Sequence, residues 1–126
     1  MNLPDLQNNN IANFLDKEDI VRETAEQIIK DFSMFGIEIS FSGNTENAYH
    51  ELHEQLVNQI TISLERDYSR LMAALYQVVI TEREIAMAAI ELPHYNQMEV
   101  LAHQVILRDL KKVLFRRYYK ANSNLE

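Results

Sequence analysis

TENAYHELHEQLVNQITISLERDYSRLMAALYQVV, residues 45–79, contains neither glycine nor proline and reads as one amphipathic helix. Leu52, Leu56, Ile60, Leu64, Tyr68, Leu71, Leu75 and Val78 recur every three or four residues, which sets them along one side. Glu51, Glu54, Asn58, Glu65 and Ser69 fall on the other side. At ~1.5 Å per residue an unbroken rod of this length reaches roughly 50 Å. A compact chain of 126 residues is about 36 Å across. The rod must therefore break, with the β-branched run Ile60-Thr61-Ile62 as its weakest point, or a second copy must cover the excess. The expected fold is all-α: a bundle of four helices in one domain spanning residues 1–126, dominated by this long second helix and completed by dimerisation.

Upstream of the rod, Ser42-Gly43-Asn44 turns the chain, and Asn44 or Thr45 is placed to cap the helix. Ile37-Glu38-Ile39-Ser40-Phe41 is the one clean period-two alternation in the sequence. A lone strand leaves its backbone groups unpaired. The segment is thus either an extended linker packed on the helices or a strand that pairs with its copy in a second chain. A first helix is expected over residues 17–35, with Asp16 as N-cap, Glu18 and Asp19 in its first turn, and Gly36 ending it. Residues 1–15 are polar and asparagine-rich, a partly mobile lead-in with Ile11, Phe14 and Leu15 as an apolar anchor.

Downstream, Thr81 and Glu84 have capping-box spacing and open a short helix that Pro93 stops. Asn96 and Glu99 supply a second cap-like start for a last helix over residues 97–119, followed by a polar tail at 121–126. This last helix is apolar on two sides. Met98, Ala102, Val105, Ile106 and Val113 form one cluster; Val100, Leu107, Leu114 and Tyr118 form another, roughly opposite. Such a helix is either central in its bundle or shared with a partner. For a dimer, the candidate interface residues are Ile37, Ile39, Phe41, Val100, Leu107, Leu114 and Tyr118.

Two glycines and two prolines are few for this length and argue against all-β folds and phosphate-binding loops. The absence of cysteine excludes disulfides, thiolate metal sites and a cysteine nucleophile. The first residues lack the basic and apolar regions of a secretory signal, and no apolar run approaches the ~18 residues of a membrane span. A soluble, cytoplasmic protein is expected.

The net charge of −7 conceals an asymmetry: residues 1–107 balance at −11, whereas residues 108–120 balance at +5. Between the two apolar clusters of the last helix lies a sector holding Arg108, Lys111, Lys112 and Arg116, with Phe115 and Tyr119 interleaved. Cations near a helix C-terminus suit the macrodipole and offset the acidic remainder. The same residues also compose a surface for phosphates or an acidic partner.

His50, His53, Glu54 and Glu46 share helical spacings, but their order is not the H-E-x-x-H of zinc enzymes. Glu91 and His94 straddle Pro93, so the paired helical E-x-x-H of carboxylate di-iron bundles is missing. No serine has the flanking glycines of a nucleophile elbow. Neither a cofactor nor a catalytic residue is expected. The leading expectation is a non-enzymatic, homodimeric interaction or regulatory protein. A nucleic-acid-binding module using the last helix comes second, and a small helical metal protein or enzyme third.

The portions Leu71-Met-Ala-Ala-Leu-Tyr-Gln-Val-Val-Ile-Thr-Glu and Arg108-Asp-Leu-Lys-Lys-Val-Leu-Phe-Arg-Arg-Tyr resemble a group of small all-helical bacterial proteins. The group shares a leucine–tyrosine helix end, a threonine- or serine-glutamate cap, a short alanine-rich helix and a basic final helix. This resemblance implies a helical fold and carries over no catalytic or ligand residue.

Overall fold

The rod breaks, at Asp67 rather than at Ile60-Thr61-Ile62. In the computed structural model, which describes Leu6, Asn8, Asn10 and residues 17–123, α2 runs over Ala48–Arg66 and α3 over Tyr68–Val78. Asp67 closes one helix and opens the next. Its N–H donates to Ser63 O at 2.8 Å, and its side chain accepts from the N–H of Arg70 at 3.1 Å. A short carboxylate competes for nearby backbone donors, which makes aspartate a better cap than an interior helical residue. The β-branched run stays helical: Ile60 is fully buried in the core, and the Thr61 hydroxyl is satisfied within the helix by donating to Val57 O.

The other elements are α1 (Glu18–Ser33), a 3₁₀ turn (Thr45–Asn47) leading into α2, α4 (Glu82–Glu91) and α5 (Gln97–Ser123). The described residues thus hold five α-helices rather than four, and no strand. Local capping sets several boundaries. Asn44 accepts from Glu46 N, Thr81 and Glu84 form a complete capping box, and Asn96 and Glu99 bond each other's backbone N–H at 2.9 Å. α1 begins from Lys17 with no side-chain cap. The expected Asp16 cap, the anchor of Ile11, Phe14 and Leu15, and the end of the polar tail lie outside the described residues.

The organising element is α5, not the second helix. From Val100 to Leu114 all its residues are buried except Arg108, Lys111 and Lys112, which are half-buried. α5 packs chiefly on α2 and α1, and also on α4 and α3. Both apolar sides of α5 are therefore covered by the chain itself. Val100, Leu107 and Leu114, expected as a surface for a second copy, are buried within the chain itself. No helix among the described residues is long and apolar enough to cross a membrane.

Residues 37–41 form a packed linker. Ile37 and Ile39 are buried and Phe41 is half-buried against the same core. The side-chain amide of Gln55 takes the place of a neighbouring strand: Oε1 accepts from Ser40 N at 2.9 Å, and Nε2 donates to Ser40 O. Glu51 accepts from the N–H and hydroxyl of Ser42. Two backbone donors of the segment, Ser40 N and Ser42 N, are thus met by side chains of α2.

Candidate interaction surface

The basic sector of α5 divides. α1 presents Asp19, Glu23, Gln27 and Asp31 at four-residue spacing, hence along one strip. α5 meets that strip with Lys112, Arg116 and Arg117, running antiparallel. Lys112 Nζ lies 3.0 Å from Asp31 Oδ2 and 3.4 Å from Asp109 Oδ1. Arg116 donates to Gln27 and stands 3.6 Å from Glu23, while Arg117 contacts both Glu23 and Asp19. The Arg117 guanidinium holds the Asp19 carboxyl below the usual carboxylate range. Glu65 and Asp67 are not among the partners of this sector. Arg108 and Lys111 make no ion pair among the described residues. Lys111 lines a cleft of about 560 Å³ between α4 and α5, with Glu84, Glu91 and Gln104 nearby. Phe115 and Tyr119 stack outward at 5.8 Å, and Tyr118 lies edge-on to Tyr119.

At the inner end of this ladder Asp109 is fully buried, and neither of its oxygens has a well-formed hydrogen bond. Burial first, and then the neighbouring Asp31, push its carboxyl up to about 8 against the pull of Lys112. At neutral pH Asp109 is therefore mostly protonated.

A second polar cluster joins the start of α2 to α5. Tyr49 OH lies 2.6 Å from His103 Nδ1 and 3.0 Å from Tyr95 OH, and His103 Nε2 lies 2.9 Å from Asn8 O. Asn8 O can only accept, so Nε2 carries the proton and Nδ1 accepts from Tyr49. Tyr49 in turn accepts from Tyr95. Burial lowers His103 to about 4, and burial with the adjoining Tyr95 hydroxyl raises Tyr49 above the usual phenol range. His53 turns inward, lying against the rings of Tyr49 and Tyr95, with Nε2 donating to Glu99 O. His50 instead pairs outward with Glu54. Among the described residues no group of three histidine or acidic side chains is placed to hold a metal ion.

A further surface feature lies on α3. Leu71, Ala74, Leu75 and Val78 face the core, whereas Tyr68, Met72, Tyr76 and Val79 point outward. Tyr76 is 85% exposed. Beside this stripe, Leu64, Leu71, Leu75, Ile85, Met98 and Leu101 line an open, mainly apolar groove of about 320 Å³, with Tyr68 and Met72 on its wall. Val79, the last residue of the stripe, is left-handed at φ 67°, a conformation that is costly for a β-branched residue. It terminates α3 as Gly36 terminates α1. In both, the next residue's N–H reaches back five positions, Ile80 to Leu75 O and Ile37 to Phe32 O. The helical period already sets Leu71, Leu75 and Val78 apart from Met72, Tyr76 and Val79; the residue it misplaces is Tyr68, expected on the apolar side and exposed in the structure.

No family model matches this chain, and neither a curated protein nor a solved structure is significantly similar to it.

Proposed function

We propose that this protein is a non-enzymatic interaction or regulatory module whose α3 stripe and adjoining groove receive a helical surface of another polypeptide, self-association being one use of that surface. The observation that carries this is the outward row Tyr68, Met72, Tyr76 and Val79 on a helix whose Leu71, Ala74, Leu75 and Val78 are already core. Aromatic residues and methionine are enriched at the centres of protein interfaces. Methionine in particular adapts its shape to what it meets. The left-handed Val79 adds to the case, since glycine or asparagine would end the helix at lower cost to the monomer. The Tyr95–Tyr49–His103 chain supports a structural role instead. Both ring nitrogens of His103 are already engaged, and the ring is buried.

The test is a variant carrying Met72→Glu and Tyr76→Glu, unfolded with urea at submicromolar concentration. Its stability should stay within ~0.5 kcal/mol of the parent, because exposed side chains contribute little to the fold. A loss of several kcal/mol would mean that the stripe belongs to the chain's own core, and the proposal would fail.

A further inference from the structure

We infer that Glu91, His103 and Gln104 form a site that reads one asparagine of a peptide segment, filled here by the chain's own Asn8. The site stands apart from the α3 stripe and does not depend on it. Three polar groups of Asn8 each meet a different side chain. Its backbone carbonyl accepts from His103 Nε2 at 2.9 Å, its Oδ1 accepts from Gln104 Nε2 at 2.6 Å, and its Nδ2 donates to Glu91 Oε2. The partners are matched in sense. A carboxylate can only accept, so Glu91 fixes the Asn8 amide with Nδ2 toward α4 and Oδ1 toward α5. Aspartate in the same place would set a second carboxylate against Glu91, and leucine would leave the Gln104 amide unmet.

The reading groups are built into the fold. His103 and Gln104 are each only 4% exposed and sit between Leu101-Ala102 and Val105-Ile106, which are core. Two polar side chains buried there cost stability unless they find partners, and Asn8 partners both. The Tyr49 hydroxyl donates to His103 Nδ1, which leaves the ring proton on Nε2, aimed at the Asn8 carbonyl. Leu6, Met87 and Leu107 line the adjoining cleft of about 560 Å³, an apolar neighbour for a side chain beside the asparagine. α4 and α5 also pack on each other directly, so Asn8 can leave while both walls of the site stay in place. The segment carrying Asn8 is thus an internal competitor for an asparagine-bearing segment of another polypeptide.

The probe is the blocked peptide Leu-Gln-Asn-Ser-Ser, which keeps the sequence of residues 6–8 and lacks the two asparagines that follow. It is titrated into the full chain and followed by the side-chain amide signals of Gln104 in NMR spectra. The site is emptied with Asn8→Ser, Asn9→Ser and Asn10→Ser together, so that no neighbouring asparagine slips into it. This variant should bind the peptide roughly tenfold more tightly than the parent, whose own segment competes. A peptide with aspartate for its asparagine should bind the variant roughly tenfold less tightly. Glu91 is exposed, so Glu91→Lys leaves the fold intact and should reverse that preference. Binding no tighter than to the parent, equal binding of the two peptides, or a preference unchanged by Glu91→Lys would overturn the site. If the serine variant folds poorly, the question is put within the chain. Chymotryptic cleavage after Leu6 should be faster in Glu91→Lys than in the parent, and slower again once Asn8→Asp is added. Cleavage that the second exchange does not slow would equally refute the asparagine site.

Discussion

Lys112 of α5 and Asp31 of α1 meet in an ion pair of 3.0 Å whose carboxylate is only 2% exposed. The same ammonium donates to Gln77 O and faces Asp109. One cation therefore serves two buried carboxyl groups and a carbonyl of α3. A residue in this position cannot be exchanged as freely as a surface lysine.

Replacing Lys112 with glutamine should destabilise the fold by about 2–4 kcal/mol, the range expected when one partner of a largely buried pair is removed. Lys111→Gln, one position away and outside the ladder, should change stability by no more than ~0.5 kcal/mol. Urea midpoints of the two variants compare them directly. Equal midpoints would return Lys112 to the solvent-facing strip.

Asp109 titrates at about 8 in the folded chain, against an ordinary value of 3.8. Between those values the folded state holds a proton that the unfolded state has released. Stability attributable to this group is complete below about pH 4 and is lost as pH rises through about 8. Asp109→Asn keeps the shape of a protonated carboxyl and cannot ionise. Its advantage over the parent should grow from pH 6 to pH 9 by ~1–3 kcal/mol. Denaturation curves that shift in parallel at both pH values would refute this.

His103 acts in the opposite sense. Its folded value of about 4 lies below the ordinary 6.5, so the unfolded chain binds the proton first. Stability should fall as pH drops from about 6.5 to about 4, by at most ~3 kcal/mol. His103→Gln retains a donor and an acceptor but does not titrate. The stability difference between parent and His103→Gln should therefore depend on pH in that window and be level above pH 7, which isolates it from the contrary effect of Asp109.

Val79→Gly should raise the stability of the dilute chain by ~1 kcal/mol, because glycine takes the left-handed conformation without the clash that valine suffers. The gain is smaller than the full strain, since glycine also gives the unfolded chain more freedom. Thermal melts at submicromolar concentration measure it. A destabilised Val79→Gly would show that the valine side chain contributes more to the monomer than its left-handed backbone costs.

What the sequence determined by itself is the set of features that depend on neighbours within a turn or two of chain. The capping boxes at Thr81 and Asn96, the stop at Gly36 and the helical periods all involve groups that meet wherever the rest of the chain lies. The all-helical class followed from them. Tertiary structure decided the rest, for reasons of competition between distant groups. The 45–79 stretch reads as one rod with its weakest point at Ile60-Thr61-Ile62, yet it breaks at Asp67, whose side chain caps α3 at Arg70 N. Ile37 and Ile39 needed no partner strand because Gln55, fifteen residues beyond Ser40, closed the backbone around them. The destination of the cations on α5 depended on which acidic strip lay opposite. Nothing within thirteen contiguous residues of the last helix records that Asp19, Glu23, Gln27 and Asp31 are the side chains waiting there.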